Sequence, residues 1–349
     1  MRRSSFAILA LLLVILLCCG GAAAAQTVKS ANSTQFSSSA QSAVVMERSS
    51  HRVLFEQNAD AHLPMASTTK IVTALTVINH ANLDEMVEVD PRAVGIEGSS
   101  IYLRAGEHLT VRELLYGLML RSGNDSAVAL ALHVAGSVEA FAEMMNETAK
   151  SVGCVDSHFV NPHGLHNEEH YTSARDLATL TCVALDNSDF QEIVSTKTVR
   201  ISNEGMEYDR VLVNKNKLLT NFDGADGVKT GYTKKAGRCF VGSATRNGMQ
   251  VVVVVLNCGP MFEETADMLD VAFANYRLER IIPKNKVCGS RMENGKRVYY
   301  VCPEAFAYPM RSGEQVTTSI NIDCDTPIIS AQLDGKTIFE RELVKTIKN

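Results

Sequence analysis

The chain has no surplus of basic residues: 34 Lys and Arg stand against 39 Asp and Glu, a formal net charge of −5. A nucleic-acid surface needs clustered positive charge, and nothing in the composition suggests one. No two cysteines take the C-x-x-C spacing, so structural zinc sites and thioredoxin-like redox chemistry lack their usual signature. What is present in quantity is apolar side chain. With 349 residues, 46% of them hydrophobic, the chain can bury a large core, and its length suggests one large domain with a smaller one.

The N-terminus sets the compartment. Arg2 and Arg3 precede an apolar run from Phe6 to Leu17, followed by Gly20-Gly21 and Ala22-Ala23-Ala24-Ala25. Residues 1–25 read as a secretory signal peptide cleaved near Ala25; an uncleaved membrane anchor is the alternative that the length of the run allows. Leu17 stands before Cys18 where a lipoprotein site wants a small residue, which argues against lipidation. Cleavage leaves Cys154, Cys182, Cys239, Cys258, Cys288, Cys302 and Cys324, an odd set. Export permits disulfides, but spacing does not reveal connectivity, and most of these cysteines read as small core residues.

Residues 26–41 are polar and serine-rich and read as a flexible leader. Strand patterns follow at Ala43–Glu47 and Arg52–Glu56. Pro64 then precedes a helix predicted to open at Ser67. Thr110-x-x-Glu113 forms a capping box before Leu114, Leu115, Leu118 and Met119, and Gly123 is placed to end that helix. Asp125 and Ser126 are suited to cap the next one. Further helices are expected over 137–152 and 173–185, the latter behind Ser173-x-x-Asp176. Beyond residue 197 the period becomes strand-like: Arg210–Val213, Gly227–Thr230, Arg238–Ala244 and Gln250–Leu256, with a hairpin turn at Asn247-Gly248. The run Val251–Val255 predicts a strand covered on both faces. A last helix is expected from Glu263 to Tyr276. Residues 284–349, with turns at Asn294-Gly295 and Asp334-Gly335, predict a small β-rich domain without a catalytic constellation.

Ser67 and Lys70, three residues apart at a helix start, place a hydroxyl and an amine on one face of the first turn. Serine needs a base held against it, and lysine is such a base only when desolvation or nearby cations depress its pKa. Two companions follow in order: Ser122-Gly123-Asn124 on an interhelical loop and Lys229-Thr230-Gly231 on a strand. The three together are the motif set of penicillin-binding proteins and class A β-lactamases. In that set Ser67 is the acyl-ester nucleophile, Lys70 its proton acceptor and Ser122 a proton shuttle to the leaving amine. Asn124 holds substrate or Lys70, Lys229 and Thr230 meet a substrate carboxylate, Gly231 admits close approach, and the N–H of Tyr232 is a second oxyanion donor beside that of Ser67.

Over residues 42–282 the chain closely resembles the low-molecular-mass penicillin-binding proteins, the serine D-Ala-D-Ala carboxypeptidases. The resemblance is carried by Asn58–Lys70, Leu120–Ala127, Asn161–Leu165, His170–Asp176, Asn214–Leu219 and Asp226–Thr233. It implies an α+β, transpeptidase-like catalytic domain: an antiparallel sheet flanked by helices, with a helical subdomain and a small C-terminal β domain. It also implies removal of the terminal D-alanine from peptidoglycan stem peptides, in wall biogenesis and cell-shape control, without cofactor or metal. The partners it implies are stem peptides ending in D-Ala-D-Ala, with β-lactams as covalent inhibitors; nucleic acid is not among them, and membrane association stays open. The expected location is outside the cytoplasm of a bacterium.

Three departures from the family pattern stand out. The segment Gly259-Pro-Met-Phe-Glu-Glu264 lacks the arginine that many members carry between the last core strand and the final helix, where it helps hold the substrate carboxylate. The C-terminal region is only faintly similar to the family's small β domain. The chain stops at Leu343–Asn349, too short a stretch for an amphipathic anchor. Two other readings share the motifs: a class A-like β-lactamase, with Glu168 or Glu169 driving deacylation, and a penicillin-binding wall protein with negligible turnover. A metal-dependent peptidase on His163, His166 and His170 conflicts with Pro162 and Gly164, which make that stretch a loop.

Overall fold

The computed structural model describes residues 35–347; the expected signal peptide and residues 26–34 of the leader lie outside them. The helices are α1 (Lys70–His80), α2 (Val111–Leu120), α3 (Asn124–Ala135), α4 (Val138–Ser151), α5 (Ala174–Ala184), α6 (Ser188–Ser195), α7 (Leu218–Asn221) and α8 (Met261–Asn275). The strands up to α8 are β1 (Ser42–Glu47), β2 (Val53–Gln57), β3 (Met86–Glu88), β4 (His108–Thr110), β5 (Thr198–Ile201), β6 (Arg210–Val213), β7 (Ala225–Thr233), β8 (Gly237–Arg246) and β9 (Met249–Leu256). After it come β10 (Tyr276–Ile282), β11 (Lys286–Glu293), β12 (Lys296–Cys302), β13 (Phe306–Arg311), β14 (Val316–Asn321), β15 (Ile328–Leu333), β16 (Lys336–Glu342) and β17 (Val344–Ile347).

An antiparallel sheet in the order β2-β1-β9-β8-β7 is the frame, with β2 and β7 as its two edges. The valine run lies in β9, between β1 and β8. Val252 and Val254 face a core built from α1 to α6, while Val251, Val253 and Val255 face α8 with Phe240, Met268 and Leu269. Each valine is fully buried, worth roughly 1.5–3 kcal/mol apiece, so the sheet is held from both sides. The turn between β8 and β9 puts Asn247 and Gly248 at φ +51° and +79°, the positive pair of a two-residue hairpin.

The Thr110–Glu113 capping box forms in full, and Ser173 caps α5 by accepting from the Asp176 N–H. The helix end at Gly123 differs from expectation. The left-handed residue is Ser122, at φ +64°, and Gly123 instead precedes α3 with φ −59°. Space demands that glycine: a Cβ there would lie 2.7 Å from Asp125 Oδ1 and 2.8 Å from Ser126 Oγ.

The described end of the serine-rich leader is packed. Phe36 stacks on Phe55 with centroids 5.3 Å apart, and Glu264 accepts from Ser38 Oγ and the Ser39 N–H. Beyond α8 the chain passes directly into β10, which pairs with β13, while β11-β12-β17 and β14-β15-β16 form two further sheets. Ile282, Tyr300, Cys302, Ile329, Ala331 and Leu343 give this region its own core. Arg52, in β2's lead-in, ties it to the large sheet by pairing with Glu314 and lying over the rings of Tyr276 and Tyr308. All seven cysteines of the described residues are free thiols, and five are buried.

Candidate active site

Met65 to Lys70 make one continuous turn: a 3-10 segment, Ala66–Thr69, runs straight into α1. Ser67 therefore sits in the tight turn before the α-helix, where its side chain stays partly exposed while Lys70 is wholly buried. Ala66 takes φ +50°, a left-handed geometry uncommon for a residue with a side chain. Its surroundings hold it there. Thr69 Oγ1 donates to Ala66 O at 2.8 Å and lies 2.9 Å from His170 Nε2, while the Val160 N–H donates to His170 Nδ1 at 3.1 Å. Nδ1 is thus an acceptor and Nε2 carries the proton that Thr69 accepts. Burial, with the neighbouring histidines and Lys70 adding to it, lowers the His170 pKa to about 3, consistent with a neutral ring.

Lys70 Nζ is 3.1 Å from Ser67 Oγ, 2.8 Å from Asn124 Oδ1 and 2.6 Å from the His163 carbonyl. Two of the three contacts are to carbonyl-type oxygens that can only accept, so they consume two N–H bonds. The third direction of the amine points at the serine. Burial first, then the charges of Lys229 and Lys215, hold the Lys70 pKa well below that of a free lysine; Asp125 opposes this weakly. His163, whose carbonyl is one anchor, has its own pKa lowered to about 4 by burial and by Lys70. Gly164 lets this loop come so close: at φ +84°, a Cβ would fall 2.0 Å from Ala66 O.

Ser122 enters from the α2–α3 loop and Asn124 from the first residue of α3, one residue past the expected loop, both 4% exposed. Asp125, rather than capping the helix, turns its buried carboxylate to the loop opposite, where it accepts from Ser100 Oγ and the N–H groups of Ile101 and Leu103. The Asn124 N–H donates to Ser99 O at 2.7 Å, which ties the start of α3 beside Ser122 to the loop with Ser99. Sequence reasoning missed Asp125 in this role; the pairing joins segments that are remote in the chain.

The third wall is the edge strand β7. Lys229 is 1% exposed and donates to Thr230 O at 2.9 Å; burial, then Lys215, lowers its pKa to about 7. A Cβ on Gly231 would lie 3.1 Å from the N atoms of Ser67 and Thr68, so only glycine lets the strand run this close to the Ser67 turn. Tyr232 is 66% exposed at the lip. The resulting cleft, about 390 Å³, is lined by Ser67, Ser122, Lys215, Thr230, Tyr232 and Arg238 among others. A larger hollow of about 480 Å³ around Asp226 and Gln250 contains neither lysine nor histidine. Glu168 and Glu169 are exposed in the 158–170 loop, and Glu168 pairs with His166 and Lys235. Among the described residues no cluster of three or more His, Cys, Asp or Glu side chains is set to hold a metal ion.

Residues 26–259 match the family model described as D-alanyl-D-alanine carboxypeptidase. The chain is 35% identical over 269 residues to D-alanyl-D-alanine carboxypeptidase DacF of Bacillus subtilis, covering 74% of this chain and 69% of that one. It is 31% identical over 346 residues to D-alanyl-D-alanine carboxypeptidase DacA of Escherichia coli, covering 87% and 82% respectively. In fold it is similar to penicillin binding protein 5 from Haemophilus influenzae, with a TM-score of 0.76 at 24% identity over 90% of this chain and 98% of the other. The chain belongs to the D-alanyl-D-alanine carboxypeptidase family of serine-type hydrolases.

Proposed function

We propose that Ser67 is the acyl-ester nucleophile and Lys70 its base, acting on peptidoglycan stem peptides that end in D-Ala-D-Ala. The observation that carries this reading is the Lys70 amine, buried, depressed in pKa and 3.1 Å from Ser67 Oγ. In its neutral form it keeps two N–H bonds to Asn124 Oδ1 and His163 O and offers its lone pair to the hydroxyl proton. Ser67 Oγ then attacks the carbonyl of the penultimate D-alanine, and the N–H groups of Ser67 and Tyr232 meet the charge that develops on its oxygen. Ser122 passes the proton from Lys70 to the departing amine, free D-alanine leaves, and water hydrolyses the ester. Asn124 steadies Lys70 and substrate, Gly231 gives the peptide room beside β7, and Lys229 and Thr230 face the terminal carboxylate. A β-lactam opened by Ser67 in the same way would remain as a stable ester.

The enzyme is read as exported, working at the wall or the outer face of the membrane in wall biogenesis and cell shape. Retention through an uncleaved Phe6–Leu17 run is the alternative to release, and fractionation with N-terminal sequencing separates the two. The mechanism is tested with wild type and Ser67→Ala on a diacetylated Lys-D-Ala-D-Ala peptide: Ser67→Ala is expected to lose D-alanine release and labelling by a fluorescent penicillin. Release at the wild-type rate would overturn it. Rapid, sustained nitrocefin turnover would favour a β-lactamase instead.

A further inference from the structure

The proposed clamp on the substrate carboxylate is electrostatically thin. Lys229 is buried, spends a hydrogen bond on the Thr230 carbonyl, and has a pKa lowered to about 7, so near neutrality it is only partly charged. Lys215 is likewise depressed and donates to Ser99 Oγ at 3.0 Å. The segment 259–264 after β9 brings no arginine.

The sheet register supplies one from elsewhere. Thr230 pairs with Phe240 and Tyr232 pairs with Arg238 across β7 and β8. Paired residues point to the same face, and Thr230 and Tyr232 are two apart, so Thr230 and Arg238 are diagonal neighbours on one face of the sheet. Both line the cleft that holds Ser67. Arg238 is exposed, and its Nη1 donates to Gly259 O at 3.1 Å, which ties the side chain to the segment that has no arginine of its own. Among the described residues no carboxylate pairs with it, so most of its five N–H donors remain for a ligand.

We propose that Arg238, reaching across from β8, is the residue that recognises the free carboxylate of the terminal D-alanine, alongside the Thr230 hydroxyl. A guanidinium keeps its charge at every pH at which the enzyme folds and meets a carboxylate with two parallel N–H bonds, which a half-neutral buried lysine cannot do. The residue thereby sets the preference for cutting at a chain end over cutting an internal peptide bond. The inference rests on the Ser67 reading above and deepens it.

The test compares hydrolysis of diacetylated Lys-D-Ala-D-Ala with that of its C-terminal amide, in wild type, Arg238→Gln, Arg238→Lys and Lys215→Gln. Arg238→Gln is expected to lower kcat/KM on the acid by about 10- to 100-fold, chiefly through KM, and to change the amide less than about twofold. Arg238→Lys should recover part of the loss. Acylation of Ser67 by a β-lactam without a free carboxylate should stay at the wild-type rate, a readout that a merely structural arginine would not spare. An unchanged acid-to-amide ratio in Arg238→Gln, an equal loss on both substrates, or collapse of the ratio in Lys215→Gln alone would each overturn the assignment. Loss of D-alanine release in Ser67→Ala, alongside any of these, leaves the nucleophile standing and removes only Arg238.

Discussion

Surface ion pairs occur on both sides of α8, but among the described residues buried Lys, Asp, Glu and His side chains lie only before it. In the larger region Lys70, Lys229, Asp125 and His170 are each buried to 4% exposure or less. In the region after it, Arg291–Asp323, Arg341–Glu304 and Lys345–Glu293 pair at the surface. Burial removes water's stabilisation of the ionised form, so a lysine can become a base and a histidine stays neutral. A solvated pair changes little of either partner's chemistry. The acyl-transfer reading therefore falls on the region where lysines are desolvated.

That contrast can be broken most directly at Lys70. Lys70→Ala should slow acylation of Ser67 by a labelled penicillin by about 10²- to 10⁴-fold, measured by stopped-flow or quenched labelling. An unaffected rate would remove the base assignment and with it the meaning given to burial here.

A matched pair of glycines sharpens the point sterically. Gly164 and Gly295 have similar backbone angles, φ +84° and +74°, but a Cβ on Gly164 strikes Ala66 O at 2.0 Å while one on Gly295 meets nothing within 4 Å. Gly164→Ala should cost about 3 kcal/mol or more and lower activity, because Ala66 adjoins Ser67; Gly295→Ala should cost about 1 kcal/mol and leave activity intact. Urea denaturation of both variants checks it, and equal costs would refute it.

Acid should loosen the larger region first. His170 and His163 have folded pKa values of about 3 and about 4, against 6.5 when exposed. The unfolded chain therefore binds protons that the folded one refuses. Their contribution is complete above pH 6.5 and is lost as pH falls through that value toward 4, at up to about 1.4 kcal/mol per pH unit for each ring. Denaturation midpoints between pH 7.5 and 4.5 should fall accordingly, and His170→Gln should flatten the slope.

The smallest effect belongs to the surface. Lys345 bonds both oxygens of Glu293, yet Lys345→Ala should leave the urea denaturation midpoint essentially unchanged. A clear drop in that midpoint would mean that the C-terminal pairs are structural after all.

The parts legible in the chain are those governed by local rules. The valine run had to lie between two apolar layers, Thr110 and Glu113 could cap each other across one turn, and Asn247-Gly248 could take two positive φ angles. Ser67 and Lys70 are close because they are close in sequence. Other features depended on segments that meet only after folding. Ser67 belongs to a 3-10 turn because Ala66 is held left-handed by Thr69 and the distant His170. Asp125 left its capping role because the 100–103 loop offered better donors. Strands β3, β4 and β5 are three or four residues long, too short for a periodic signal to stand out.

By itself, then, the sequence determined the chemistry available: a serine, two lysines and a second serine in motifs whose order and spacing restrict what they can be. Tertiary structure alone decided the state of those groups. The pKa of Lys70 depends on the removal of water by α1's neighbours and on the charges of Lys229 and Lys215, 159 and 145 positions away in the numbering. Whether an arginine stands beside Thr230 depends on the β7–β8 register, not on the segment that follows β9. Spacing along the chain constrains only near neighbours, whereas burial and electrostatic coupling are properties of the folded volume.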